Sequence, residues 1–332
     1  MTLRLGTIGT NWITKMFADA ALLTGHYSLQ AVYSRHQDSG ATFANNFAGQ
    51  QAVYTDLDAF LTSGLDVVYI ASPNSLHYEQ AKAVIEHDIN VIVEKSIFSN
   101  SAEYEDIYQL LQAHPKVHLF EGARHIYTPN FKAIEEKVAQ MPVIAGANFV
   151  YEKYSSRFDA YLAGKEPNVL TREFSAGALT DLGVYPIYAA LKLFGLPKEQ
   201  VYFATRLKNG ADGRGTAVLR YADFDVTAQF GKMSNSYAPS EILGRRDTLM
   251  VDNIGELGEV TYYDGSGNVE TLTQPREVNP MLGEAETFAK IMRDPKLYQT
   301  DYEQMLLLSQ QVNLVLTALR QSAGIVFPAD KR

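Results

Sequence analysis

Leu3-Arg4-Leu5-Gly6-Thr7-Ile8-Gly9-Thr10-Asn11-Trp12-Ile13-Thr14 is the stretch whose reading decides the fold. A short apolar run ends in a glycine-bearing turn, and a helical stripe of Ile13, Met16, Phe17 and Ala20 follows at once. A strand that turns directly into a helix opens a doubly wound parallel sheet, and backbone N–H groups at such a turn point at a pyrophosphate. Of the dinucleotide pattern Gly-x-Gly-x-x-Gly, Gly9 keeps the first place, while Asn11 stands at the second and Thr14 at the third. Asparagine tolerates a left-handed backbone better than other non-glycine residues, so a left-handed Asn11 is expected to preserve the turn with looser phosphate contact. Trp12 reads as a packing residue at the helix start.

Outward from this turn, strands are expected near Ser28 to Tyr33, Val53 to Tyr54, Asp66 to Ala71, Asn90 to Val93 and Val117 to Phe120. Helices are expected at Trp12 to Leu23, at Leu76 to His87, and from Asn100, whose Glu103 suggests a capping box, towards Leu111. Alternating strands and helices imply a right-handed doubly wound sheet. Beyond Arg124, period-two runs at Val143 to Val150, Val201 to Leu207, Thr216 to Tyr221 and Val226 to Lys232 imply a mainly antiparallel sheet. Helical patterns at Leu179 to Phe194, Met281 to Met292 and Tyr302 to Arg320 accompany it, and Asp264-Gly265-Ser266-Gly267-Asn268 reads as a hairpin turn. The fold class is therefore α/β: a doubly wound domain over residues 1–122, then an α+β domain with a large open sheet over 123–332. No flexible linker separates them, so the cleft between the halves is the default site.

At 332 residues the chain exceeds the size of one growing core, which also favours two domains. A net charge of −9 argues against a nucleic-acid partner or an anionic membrane. The complete lack of cysteine excludes disulfides and thiolate metal sites, and together with a start lacking an apolar leader it favours a cytoplasmic location. His114 and His118 are interrupted by Pro115, so no metal site is expected.

Parallel sheets bind ligands beyond the ends of their strands. The charged pair Glu94-Lys95 at the exit of the buried run Asn90 to Val93 is costly to bury unless a site uses it. The second strand ends in Ser34-Arg35, where a site built for a ribose 2′-hydroxyl would carry a carboxylate. Guanidinium suits a 2′-phosphate, so NADP is expected to be preferred over NAD. The fourth strand exits through Ser72-Pro73-Asn74-Ser75-Leu76-His77, whose polar groups suit the nicotinamide ribose.

Gly9-Thr10-Asn11-Trp12-Ile13, Ser34-Arg35, Ser72 to His77, Glu94-Lys95 and Gly177-Ala178-Leu179-Thr180-Asp181-Leu182-Gly183-Val184-Tyr185-Pro186 resemble the Gfo/Idh/MocA oxidoreductases, in order and across both halves. The resemblance implies an N-terminal Rossmann domain, a C-terminal α/β domain with an open sheet, a small-molecule sugar, polyol or diol substrate, NAD or NADP, and a homodimer. It implies cofactor contacts at Gly9, Thr10, Asn11, Trp12, Ile13, Ser34, Arg35, Ser72, Pro73, Asn74, His77, Glu94 and Lys95, with Arg124 touching cofactor or substrate. It also matches Lys95 to the family lysine beside the nicotinamide, Asp181 to the helix aspartate and Tyr185 to the acid/base position, in the manner of the sugar 1-dehydrogenase and dihydrodiol dehydrogenase branch. The family's Glu-Lys-Pro reads Glu94-Lys95-Ser96 here, so the backbone after the lysine is expected to be less stiff.

Chemistry supports those roles independently. Asp181 and Tyr185 are four apart and share a face of a helix, although Gly183 and Pro186 suggest a kink. Oxidising a carbinol needs a group to take the hydroxyl proton, and a free phenol with a pKa of about 10 needs help to do so at neutral pH. An ammonium nearby favours the phenolate, so Lys95 is expected to tune Tyr185 and Asp181 to orient the substrate or the lysine. Tyr151 to Gly177 reads as a long polar loop whose Tyr154, Arg157, Phe158, Tyr161 and Arg172 suit a polyhydroxylated ring. An alternative reading on the same fold is a dinucleotide-binding sensor that does not react.

Overall fold

The computed structural model describes residues 2–331. They form two compact units, residues 2–124 with 277–309, and residues 125–276 with 310–331.

The first unit is built on six parallel strands: β1 (Leu3–Ile8), β2 (Tyr27–Tyr33), β3 (Ala52–Tyr54), β4 (Val67–Ile70), β5 (Asn90–Glu94) and β6 (Leu119–Gly122). Their order is β3-β2-β1-β4-β5-β6, the doubly wound arrangement. Val67, Val68, Tyr69, Ile70, Val91, Ile92 and Val93 are all fully buried, because helices cover both faces of a parallel sheet. Each such side chain contributes roughly 1.5–3 kcal/mol by leaving water. The last strand starts two residues later than expected: the Val117 N–H closes a turn on the His114 carbonyl at 2.9 Å, and Glu121 and Gly122 pair instead with Val93 and Glu94.

The helix Trp12–Leu23 forms where its apolar stripe predicts, and Asn100 caps the helix Ser101–Ala113 by accepting the Glu103 N–H at 2.9 Å. Its reciprocal bond differs from a simple capping box, since the Glu103 carboxylate takes the Ser99 N–H at 2.8 Å. Two short helices, Gln37–Ala44 and Leu57–Leu61, carry too little apolar pattern to be read from sequence. The helix Leu282–Arg293 belongs to this unit: the Tyr27 hydroxyl donates to the Ala285 carbonyl at 2.9 Å, and Phe288 stacks on Phe120 at 4.6 Å.

The second unit carries eight strands: β7 (Gly146–Glu152), β8 (Glu199–Arg206), β9 (Asp212–Arg220), β10 (Asp225–Gly231), β11 (Ser240–Leu243), β12 (Thr248–Val251), β13 (Val260–Tyr263) and β14 (Val269–Thr271). They run β14-β13-β12-β11-β7-β10-β9-β8, antiparallel throughout except for the parallel pair β7 and β10. One face is buried, with Ala147, Phe149, Ala217, Leu219, Ala228 and Phe230 at or near zero exposure. The helical segment against it is not one α-helix from Leu179. It opens as a π-helical turn, Leu179–Gly183, and continues as an α-helix, Val184–Phe194. A Cβ on Gly183 would meet the Phe230 ring at 2.8 Å, so glycine lets this segment lie directly on the sheet.

The stretch expected to be a long polar loop is partly ordered into its own small core. The helix Phe158–Leu162 and turns at Asn168–Leu170 and Arg172–Phe174 pack Phe158 and Leu170 against Leu207.

Candidate functional site

In the first unit the candidate residues stand at the carboxyl ends of adjacent strands. Gly9 follows β1 with φ +110, and a Cβ there would lie 3.0 Å from the Ala71 carbonyl oxygen, so only glycine lets the turn pass the end of β4. Asn11 is not left-handed as expected. Its backbone is extended (φ −88, ψ 178), and it acts as a helix cap: Oδ1 accepts the N–H groups of Ile13 at 2.9 Å and Thr14 at 3.1 Å, while Nδ2 donates to the Ala71 carbonyl at 2.8 Å. The side chain thus fixes the turn to the end of β4 and occupies two of the helix's first N–H groups. Trp12 does not pack; it is 71% exposed. It lines a groove of about 450 Å³ with Thr10, Asn11, Lys15, Ser39 and Thr42. This turn, with its glycine and its adjoining groove, fits the pyrophosphate and adenosine half of a dinucleotide.

Arg35 is exposed just past β2, and Ser34 beside it is buried, its hydroxyl accepting the His36 N–H at 3.3 Å. Pro73 opens the short turn Asn74–Leu76, and the Ser72 hydroxyl donates to Gln80 at 2.7 Å. His77, expected to touch the cofactor, has no exposed surface. Its Nε2 lies 2.8 Å from the Ser72 carbonyl oxygen, and its Nδ1 lies 3.2 Å and 3.1 Å from those of Ser96 and Ile97. Burial, helped by the Lys95 charge, holds the ring's pKa below its ordinary value, so one N–H serves these acceptors at a time. The ring therefore joins the loops that end β4 and β5.

Lys95 follows β5 and is half-buried, and the peptide after it is cis. The loop beyond needs no proline to be held: besides His77, the Glu121 carboxylate accepts the Ile97 N–H at 3.0 Å and the Ser309 hydroxyl at 2.6 Å. Glu94 turns inward rather than towards a ligand. It is buried, its carboxylate accepts the Tyr69 hydroxyl at 2.5 Å, and a Cβ on Gly122 would come within 3.1 Å of it. Burial raises its pKa against the opposing charge of Lys95. A second carboxyl, Glu284, was not legible as part of this region. It is fully buried, neither oxygen has a hydrogen-bond partner among the described residues, and burial and the Glu94 charge push its pKa well up, with half-buried Arg124 opposing.

In the second unit Asp181 and Tyr185 lie on one helical run, the first in the π-helical turn and the second in the α-helix. The run is anchored at its start by Asp212, a buried residue that sequence reading missed. Its carboxylate accepts the Leu179 N–H at 2.6 Å and the Tyr202 hydroxyl at 2.7 Å, and burial raises its pKa. Tyr185 is buried with its ring 4.8 Å from His125 and 5.2 Å from Tyr151. His125 also donates from Nε2 to the Tyr185 carbonyl at 3.1 Å, and the Tyr151 hydroxyl donates to Glu256 at 2.8 Å. Asp181, a third exposed, forms an ion pair with buried Lys232. Of the loop side chains expected to meet a sugar ring, Phe158 is buried in the small core, the Tyr161 hydroxyl accepts the Lys208 N–H at 2.8 Å, and the Tyr154 hydroxyl donates to Asp159 at 2.6 Å.

Among the described residues no helix is long and apolar enough to cross a membrane, and no group of three or more His, Cys, Asp or Glu residues could hold a metal ion.

A doubly wound parallel unit joined in one chain to a unit with a mainly antiparallel open sheet is the two-part architecture of a class of nicotinamide-dependent oxidoreductases. Residues 3–122 match the oxidoreductase family with an NAD-binding Rossmann fold, and residues 151–250 match the GFO/IDH/MocA C-terminal domain. The chain belongs to the GFO/IDH/MocA oxidoreductases. It is 38% identical over 329 residues to the oxidoreductase YgjR of Escherichia coli, covering 99% of this chain and 98% of that protein. It is 36% identical over 334 residues to IolU of Bacillus subtilis, a scyllo-inositol 2-dehydrogenase (NADP+), covering 99% of each. Its fold is shared with the 3-ketoreductase KijD10 of Actinomadura kijaniata, solved with NADP, at a TM-score of 0.82 and 18% identity, covering 97% of this chain and 98% of the other.

Proposed function

We propose that the chain oxidises a hydroxyl of a sugar or polyol, or reduces the matching carbonyl, with NADP as the preferred cofactor. The observation that carries this reading is the relationship along 99% of both chains to an NADP-dependent inositol dehydrogenase. Arg35, exposed beyond β2 beside Ser34, supports the cofactor preference, because guanidinium pairs with a 2′-phosphate that NAD lacks.

The nicotinamide, when bound, supplies or accepts the hydride. The protein handles the proton and the geometry. In the oxidising direction the carbinol carbon loses a hydride and its oxygen a proton, leaving a carbonyl; Tyr185 takes that proton and Lys95 donates a hydrogen bond to the reacting oxygen. The close ring contacts of Tyr185 with His125 and Tyr151 keep the phenol from turning away. Asp181 accepts a hydrogen bond from a substrate hydroxyl and so orients the ring. Gly9, Thr10, Asn11 and Trp12 hold the pyrophosphate side of the cofactor, Ser72, Pro73 and Asn74 the nicotinamide ribose, and Arg124 adds positive charge.

The test is a spectrophotometric screen of inositols, aldoses and vicinal diols with both cofactors. Turnover with an inositol or aldose at a lower KM for NADP than for NAD is expected; no turnover of any member would remove the substrate reading. On the substrate so found, Lys95→Met is expected to lower kcat by roughly 100- to 10,000-fold, with the NADP dissociation constant nearly unchanged. We further infer a cytoplasmic homodimer, which sedimentation of the purified protein tests.

A further inference from the structure

Lys232 stands just beyond β10, and only 2% of its surface is exposed. Lysine is almost never buried to this extent unless its charge is paired. Its Nζ is ion-paired with the Asp181 carboxylate and donates to the Val169 carbonyl at 3.0 Å. Those partners sit on separate elements, Asp181 in the π-helical turn that leads to Tyr185 and Val169 in the turn Asn168–Leu170. The lysine backbone is fixed as well: its N–H donates to the Gly213 carbonyl at 2.8 Å, and its own carbonyl accepts the Ser155 N–H at 2.9 Å. The pair is asymmetric, with side-chain exposure of 3% for the lysine and 33% for the aspartate. The cation lies underneath, and the carboxylate is the member presented to solvent.

We propose that Lys232 is a positioning residue of the oxidoreductase reaction, which sets the Asp181 carboxylate and clamps the turn Asn168–Leu170 to the helical run carrying Asp181 and Tyr185. The proposal rests on the role assigned above to Asp181. It accounts for a buried ion pair that core stability alone explains weakly, since an apolar pair of similar volume is often neutral or better in a core. It also makes the partly exposed aspartate charge-balanced from below, which suits an uncharged hydroxylated substrate. A cationic substrate would be drawn to an unopposed carboxylate.

The test uses Lys232→Met, Lys232→Gln, Lys232→Arg, Asp181→Asn and the double variant Lys232→Met/Asp181→Asn. The measurements are kcat, KM and the pH profile on the substrate found by the screen, NADPH affinity by fluorescence quenching, and hydrogen exchange across residues 166–171. Lys232→Met is expected to lower kcat/KM at least tenfold and to alter the pH profile, with NADPH affinity within twofold of the parent. Lys232→Arg should recover part of the loss, because it keeps a charged donor. The double variant should be no worse than Asp181→Asn alone, because Lys232 acts through that carboxylate. Exchange at residues 166–171 should accelerate in Lys232→Met. Should that variant fail to fold, Lys232→Gln, which keeps a donor without charge, carries the same comparisons. Parental kinetics and pH profile in the folded variant, multiplying losses in the double variant, or unchanged exchange at 166–171 would each overturn the proposal. A chain that turns over no member of the panel defeats the substrate reading, and the exchange experiment still decides the clamp.

Discussion

The Asp212 carboxylate takes the Leu179 N–H at 2.6 Å and lies so close to Gly177 that a Cβ there would come within 1.9 Å of its Oδ1. This contact sets where the helical run with Asp181 and Tyr185 begins. Glycine precedes the run to leave room for the carboxylate that caps it.

Gly177→Ala should therefore force Asp212 off its partners or push the run away from the sheet. A loss of roughly 1–3 kcal/mol in unfolding free energy by urea titration is expected from the overpacking. Catalysis should fall with it, since both candidate residues ride on the displaced segment. A variant as stable and active as the parent would show that the contact is easily relieved.

His77→Ala removes the ring that bridges Ser72 to Ser96 and Ile97 and leaves buried carbonyls without it. The expected cost is about 1–3 kcal/mol of stability. Because the loop after Lys95 is one of those released, kcat should fall further than NADP affinity does. Fluorescence titration of NADPH beside steady-state kinetics separates the two effects.

Glu284 gives a pH dependence with a definite sign. In the folded chain burial and Glu94 push the pKa of its carboxyl well up, whereas in the unfolded chain it returns to about 4.3. The unfolded state thus binds fewer protons, and this group's contribution to stability falls as pH rises from the unfolded pKa towards the folded one. Glu284→Leu should flatten that part of the stability profile and stabilise the protein at neutral pH by roughly 1–3 kcal/mol. Thermal melts between mildly acidic and neutral pH test it; an equal loss at every pH would mean that the carboxyl has a structural partner.

Arg35→Ala should raise the KM for NADP about 10- to 100-fold, the range of a charge-assisted hydrogen bond, and leave the KM for NAD nearly unchanged. Equal effects on both cofactors would place the 2′-phosphate elsewhere.

Much of the first unit was legible in the chain. β1 and the helix Trp12–Leu23 fall at the residues expected, because a continuous apolar run and a helical stripe each leave a period that neighbours cannot disguise. Asn100 announced its helix by local capping chemistry alone. The short helices Gln37–Ala44 and Leu57–Leu61 left no such period, since one or two turns cannot display one. The candidate residues were picked out where a strand end or a motif marked them. Their roles were harder to read: His77 and Glu94 each stand in a motif beside half-buried neighbours, yet both turn inward, and sequence spacing does not say which way a side chain points.

What the sequence determined by itself is local: which segments are strands or helices, the glycine demanded at position 9, and the order of strand-end motifs that marks a dinucleotide fold. Only the tertiary structure decided the partners. Asp212 lies 33 residues from the N–H it caps, Lys232 lies 51 from the carboxylate it holds, and Glu284 meets the field of Glu94 from the far side of the chain. Hydrogen bonds and ion pairs of this kind depend on distance in space and on exclusion of water, and a linear pattern encodes neither.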